Sequence, residues 1–188
     1  MEQQFFSEDD FYFLRQHIKE VYDEACSYIK KSDKILNILE IGPCRQIHFP
    51  GLEVDWIEKN ASFLGHNYKT FDICGDVDYQ GSIEDCKVFF KDETFDVIII
   101  LSVLEHVEDI YSAVEELSRI CKPEGRIFIE TPFMFKVHGP VPDYWRLSEY
   151  AYRYFFSNKF EINMSSYPKN AFGKNSSALS YGATLIKK

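Results

Sequence analysis

The stretch from Asp96 to Pro132 constrains this chain most. Val97 to Leu101 is an apolar, β-branched run that predicts a buried strand, and Arg126 to Glu130 predicts a second. Between them, Ile110, Ala113, Val114, Leu117, Ile120 and Cys121 recur at three- and four-residue steps, with Glu115, Glu116, Ser118 and Arg119 falling between. That spacing predicts an amphipathic helix. A short loop carrying Glu105 and His106 precedes the helix, and a Pro-Glu-Gly turn follows it. Strand, helix and strand in this order make one βαβ unit. Parallel strands need such a crossover and are buried on both faces, so the two runs predict neighbours deep in an α/β sheet.

The rest of the chain continues the pattern. Leu14, Ile18, Val21, Tyr22, Ala25 and Ile29 form an apolar stripe, so residues 1–34 are expected to hold an N-terminal helix opened by Ser7 and Asp10. Ile35 to Ile41 predicts the first strand, ending at Gly42, and residues 54–64 a short helix after the Pro50-Gly51 turn. His66 to Ile73 and Val77 to Gly81 predict the second and third strands. Phe160 to Ser165 and Ala183 to Ile186 predict a closing antiparallel pair, with residues 169–180 between them as a flexible loop. The expectation is one domain over residues 1–188, its core spanning 35–188.

Composition narrows the function. With 188 residues, 45% of them hydrophobic and 16% aromatic, the chain can bury a core. Its formal net charge of −9 disfavours a broad phosphate-binding surface, so no nucleic-acid partner is expected. No apolar run approaches a membrane span and the acidic start MEQQFFSEDD is unlike a leader, which predicts a cytoplasmic protein without a membrane partner. The five cysteines (Cys26, Cys44, Cys74, Cys86 and Cys121) are scattered, with no CxxC pair and no His at ligand spacing. Reduced structural thiols and no metal are therefore expected.

The segments FDVIIILSVLEHVED and KPEGRIFIETPF, together with LEIGPC at 39–44, resemble the class I S-adenosylmethionine-dependent methyltransferases of the type 11 group. The resemblance covers roughly residues 35–188. It implies a Rossmann-like, seven-stranded, mostly parallel sheet with helices on both faces, and S-adenosylmethionine as cofactor. Glu40 would orient the methionyl portion and its loop, and Gly42 would let the backbone approach without a Cβ. Asp72 would accept from both ribose hydroxyls, with Asp55 as the competitor if residues 52–55 form the strand instead. Ser82 and the N–H of Ile83 would meet the adenine, unless they are an ordinary turn. Leu101 and Ser102 would supply backbone beside the methionyl group.

For the acceptor side, His138-Gly139-Pro140-Val141-Pro142-Asp143-Tyr144-Trp145-Arg146 resembles an H-x-x-P-x-D-Y-x-R pattern found in a subset of the group that is associated with glycans or small metabolites. His138 is the expected base, Asp143 its orienting partner, Tyr144 a pocket wall and Arg146 an anion holder, with His106 a further catalytic candidate or loop organiser. A local Asp143–Arg146 ion pair that only folds the loop is the alternative. A small-molecule or glycan-type acceptor is expected, and self-association is compatible with everything above. The rival readings are a non-catalytic methyltransferase-like binding or regulatory subunit, favoured by Pro43, Cys44 and Ser82, and a nucleotide-sugar or dinucleotide enzyme. The latter lacks its GxGxxG.

Overall fold

The computed structural model describes residues 8–43, 56–175 and 177–188, with side chains from residue 12 onward. Helix α1 (Glu8–Lys30) leads into β1 (Asn37–Ile41). There follow α2 (Trp56–Asn60), β2 (Asn67–Asp72), β3 (Tyr79–Gln80) and β4 (Phe95–Leu101). The expected crossover follows as α3 (Ile110–Ile120) and β5 (Cys121–Pro132), and the chain closes with α4 (Glu149–Phe156), β6 (Phe160–Tyr167) and β7 (Ser180–Lys187). The Ser7 cap and the Pro50-Gly51 turn lie outside the described residues.

The seven strands form one sheet in the order β3-β2-β1-β4-β5-β7-β6. β1 to β5 pair in parallel, whereas β7 runs antiparallel to both β5 and β6. The sheet is therefore mixed. β4 shows why its sequence is apolar without alternation: Val97, Ile99 and Leu101 pack under α1 with Ile38 and Phe128, while Ile98 and Ile100 pack under α3 and α4 with Leu39, Ile127 and Ile129. Helices cover both faces, so each residue of the strand meets a core. All six positions of the α1 stripe are buried, and so are Ile110, Ala113, Val114, Leu117 and Ile120 of α3. Asp109 caps α3 by accepting from the N–H groups of Tyr111 and Ser112.

Four expectations are corrected. The Pro-Glu-Gly turn is a distortion inside a longer strand: β5 begins at Cys121, Glu124 takes φ +62°, and pairing with β4 slips between Phe95 and Val97. Gly125 is required there, because a Cβ would stand 2.8 Å from the carbonyl oxygen of Lys122. β3 is only two residues long, since the Asp78 carboxylate takes the Thr70 N–H at 2.9 Å in place of a ladder bond from a neighbouring strand. α4 has no counterpart in the sequence reading, although Ser148 accepts from Ala151 N–H as its cap and Tyr152 and Phe156 are buried one turn apart.

The 169–180 segment is the fourth. Among its described residues Leu179 N–H bonds to the Tyr167 carbonyl at 2.7 Å, Phe172 stacks on Tyr181 and Ala178 is fully buried, so the segment is anchored at these points. Among the described residues no helix is long and apolar enough to cross a membrane, and Cys26, Cys74, Cys86 and Cys121 are free thiols. Cys44 lies outside the described residues.

Candidate active site

Parallel strands of an open α/β sheet collect their ligands at their carboxyl ends. At the end of β1, Gly42 has φ +65° and its N–H bonds to the Phe71 carbonyl at 2.9 Å, which brings it beside the end of β2. A Cβ on Gly42 would stand 2.3 Å from Cγ2 of Val103. The glycine is thus demanded by the turn after β4 and by its own left-handed backbone, in addition to any cofactor. Glu40 is buried, and its carboxylate accepts from the Tyr68 hydroxyl. Burial and this carboxylate push the Tyr68 phenol up.

Asp72 closes β2. Its Oδ1 accepts from Ile73 N–H at 2.6 Å and its carbonyl accepts from Gly81 N–H, and partial burial raises its carboxyl above the usual range. The competitor Asp55 lies outside the described residues. Ser82 is engaged locally: its Oγ accepts from Glu84 N–H at 3.2 Å and donates to Glu84 Oε2 at 2.5 Å, while Ile83 is buried. Glu84 Oε1 in turn accepts from Asp109 N–H at 2.6 Å, tying this turn to the start of α3. The hydroxyl proton of Ser82 is therefore already spent within the turn.

At the end of β4, Leu101 is buried and Ser102 is held at φ +52° by two bonds to Glu130 of β5: N–H to carbonyl at 2.9 Å and Oγ to Oε2 at 2.8 Å. A non-glycine residue in that region stores strain, which clusters at functional sites. Burial drives the Glu130 carboxyl well above its ordinary range, and the Glu105 charge adds to this. At the start of β7, Ser180 Oγ lies 2.6 Å from Nδ1 of His17. Burial holds His17 down at about 4, with Lys169 adding to the effect.

The short 3-10 turn Leu104–His106 then places a fully buried Glu105. Its Oε1 stands 3.7 Å from Nε2 of His106 and 3.6 Å from Nε2 of His138, and neither carboxylate oxygen has a hydrogen-bond partner among the described residues. The two imidazoles meet edge to face with centroids 5.1 Å apart. Thus residues 32 positions apart in sequence, carried on two separate loops, form one cluster. Each half carries a local signal, the dipeptide Glu105-His106 and the motif that opens at His138, but neither signal shows that the two halves meet.

The loop bearing His138 is clamped to this turn. The Glu105 carbonyl accepts from the N–H groups of Tyr144 (2.7 Å) and Trp145 (3.2 Å), and Trp145 Nε1 donates to the Val107 carbonyl at 2.7 Å. Asp143 has a fully buried side chain that receives Arg146 Nη1 at 2.5 Å and Nη2 at 2.7 Å, and the His138 N–H at 2.9 Å. Burial alone would raise the Asp143 carboxyl, but Arg146 and the His138 N–H overcome this and hold it at about 2.

Arg146 also donates to the carbonyls of Phe135, Lys136 and Trp145, so all five of its N–H donors are used. These contacts are what the alternative requires, in which the Asp143–Arg146 pair folds the loop. His138 is placed differently from a free base as well, since Nδ1 faces Asp143 at 3.0 Å and Nε2 faces Glu105. Glu105 comes first among the causes that raise the His138 imidazole above its ordinary value. Tyr144, about half exposed, remains available as a wall.

Comparison with known proteins agrees with this fold. A family profile described as "Methyltransferase domain" matches residues 52–129. No curated protein sequence is similar enough to count as a relative. Among solved structures, a SAM-dependent methyltransferase from Archaeoglobus fulgidus superposes with a TM-score of 0.63 at 13% identity, over 92% of this chain and 94% of that one. The 1,6-didemethyltoxoflavin-N1-methyltransferase of Burkholderia thailandensis, with S-adenosylhomocysteine bound, gives 0.57 at 11% identity over 100% and 93%. The [4+2]-cyclase SpnF gives 0.64 at 12% identity over 90% and 80%. At these identities the likeness is one of fold.

Proposed function

We propose, from the premise that this chain carries a class I S-adenosylmethionine-dependent methyltransferase domain, that it moves the methyl group of that cofactor to a small-molecule or glycan-type acceptor. One observation carries the reading. Gly42, Asp72 and Ser102 stand at the carboxyl ends of adjacent strands β1, β2 and β4, and Val103, which packs against Gly42, leads directly into the Glu105–His106–His138 cluster.

In this reading Asp72 holds the ribose, since a carboxylate at a strand end can accept from both hydroxyls. The backbone at Gly42, Leu101 and Ser102 lines the methionyl portion, while Glu40, tied to Tyr68, steadies the end of β1. Ile83 and the Ser82–Glu84 turn border the adenine side. The acceptor enters over the 133–146 loop, beside His106, His138 and Tyr144. Methyl transfer from a sulfonium is an in-line displacement, so alignment of donor and acceptor and exclusion of water supply most of the acceleration. The loop is suited to that work because Asp143, Arg146 and the Glu105 carbonyl fix it before any acceptor binds.

Calorimetry of the intact chain with S-adenosylhomocysteine tests the reading. Saturable binding at one site supports it. Absence of binding overturns it and leaves a methyltransferase-like subunit without cofactor.

A further inference from the structure

We propose that Glu105, His106 and His138 form a divalent-metal site of the two-imidazole, one-carboxylate kind, whose open positions take the hydroxyl oxygen of the methyl acceptor. The three ligand atoms lie within 4.8 Å of one another. The carboxylate is fully buried and neither of its oxygens has a hydrogen-bond partner among the described residues. Such a group is costly to bury unless something else compensates it. Two Nε2 atoms face its Oε1 at 3.6 and 3.7 Å, beyond hydrogen-bond reach. Donors that share a tetrahedral metal with bonds near 2.1 Å stand about 3.4 Å apart, close to that spacing.

The opposite side of each ring supports the same assignment. His106 Nδ1 lies 3.0 Å from the Pro142 carbonyl, and His138 Nδ1 lies 3.0 Å from Asp143 Oδ2, off the ideal hydrogen-bond direction. A ligating histidine commonly turns its second nitrogen to a carbonyl or carboxylate, which fixes the tautomer and directs the other lone pair at the metal. Both rings here turn Nδ1 outward to an oxygen and Nε2 inward to Glu105. The Tyr144 and Trp145 N–H bonds to the Glu105 carbonyl hold the two halves of the site in register. Two imidazoles and one carboxylate suit zinc, iron(II), cobalt or manganese better than magnesium or calcium, which prefer oxygen alone.

Three protein ligands leave positions open for a substrate oxygen, and a bound divalent ion lowers the pKa of a hydroxyl it holds. The hydroxyl proton is released to water and the oxygen forms a bond to the methyl carbon. The carbon–sulfur bond breaks with its electron pair remaining on sulfur, leaving a neutral thioether. This acceptor class rests on the methyl-transfer reading above, whereas metal binding does not.

The test uses the full chain carrying Cys74→Ser, which removes an exposed thiol, stripped of metal by a chelator. Cobalt(II) alone is titrated while visible absorption is followed, with zinc(II) calorimetry beside it. One equivalent should bind, with His106→Ala and His138→Ala each weakening it on the order of 100-fold or more, and Asp143→Asn about 10-fold. Circular dichroism checks that each variant is folded, and His106→Gln or His138→Gln replaces the alanine variant at that position if it is not. Absence of saturable uptake, or uptake that survives both histidine substitutions, overturns the site. A separate S-adenosylhomocysteine titration distinguishes the failures: cofactor binding without metal uptake sinks only the metal site, and metal uptake without cofactor binding sinks only the methyl transfer.

Discussion

Asp143 receives both terminal nitrogens of Arg146, Nη1 at 2.5 Å on one oxygen and Nη2 at 2.7 Å on the other, with its side chain closed off from solvent. A bidentate pair of this kind fixes geometry as well as charge. Because the remaining Arg146 donors reach the carbonyls of Phe135, Lys136 and Trp145, one side chain ties together both ends of the loop that carries His138.

Arg146→Ala should therefore lower stability by about 1–3 kcal/mol, the cost of leaving a buried acceptor unsatisfied. Urea unfolding measures it. Unchanged stability with only a raised KM for the acceptor would return Arg146 to the role of substrate anion holder.

Asp72→Ala should act in the opposite way. Among the described residues the carboxylate bonds only to its own neighbouring N–H groups, so its loss should cost little stability but weaken S-adenosylhomocysteine binding by about 1–3 kcal/mol. Calorimetry and a thermal melt on the same preparation separate the two. Unaltered affinity would remove Asp72 from the ribose site.

Gly42→Ala should destabilise the fold even without cofactor. The left-handed backbone costs about 1–2 kcal/mol for a residue with a Cβ, and overlap with Val103 adds about 1–3 kcal/mol of overpacking. Val103→Ala in the same chain should recover the second part and leave the first. If the double variant is no more stable than Gly42→Ala, Val103 is not the obstacle.

His17 predicts a pH dependence. Its folded value of about 4 lies below the ordinary 6.5, so between these the unfolded chain binds a proton that the folded chain refuses. The His17 contribution to stability should be flat above pH 7 and should fall as the pH drops from 6.5 to 4, by about 3 kcal/mol at the lower end. Denaturant unfolding of wild type and His17→Gln across this range checks it. The difference between the two should be constant above pH 7 and should shift in favour of His17→Gln as the pH falls, and parallel curves at all pH values would show that His17 is not buried neutral.

The sequence by itself determined the elements that rest on local periodicity. The apolar run 97–101, the three-and-four spacing from Ile110 to Ile120 and the run 126–129 can be satisfied only by a helix-crossed pair of buried strands, and both faces of the sheet follow from strands that are apolar at every position. Glu40, Gly42 and Asp72 were legible for the same reason, as residues at the ends of predicted strands. The family resemblance supplied their roles.

What only the tertiary structure decided are relations between residues far apart in the chain. Periodicity is silent on whether His138 faces a substrate or Glu105, on the closing of Arg146 upon Asp143 and three carbonyls, and on the dependence of Gly42 upon Val103, 61 positions away. Each is set by where strand ends converge and by which polar groups the core leaves unpaired. A buried carboxylate with no hydrogen bond among the described residues is a property of packing, and it became visible at Glu105 only when β4, β5 and the 133–146 loop had been brought together.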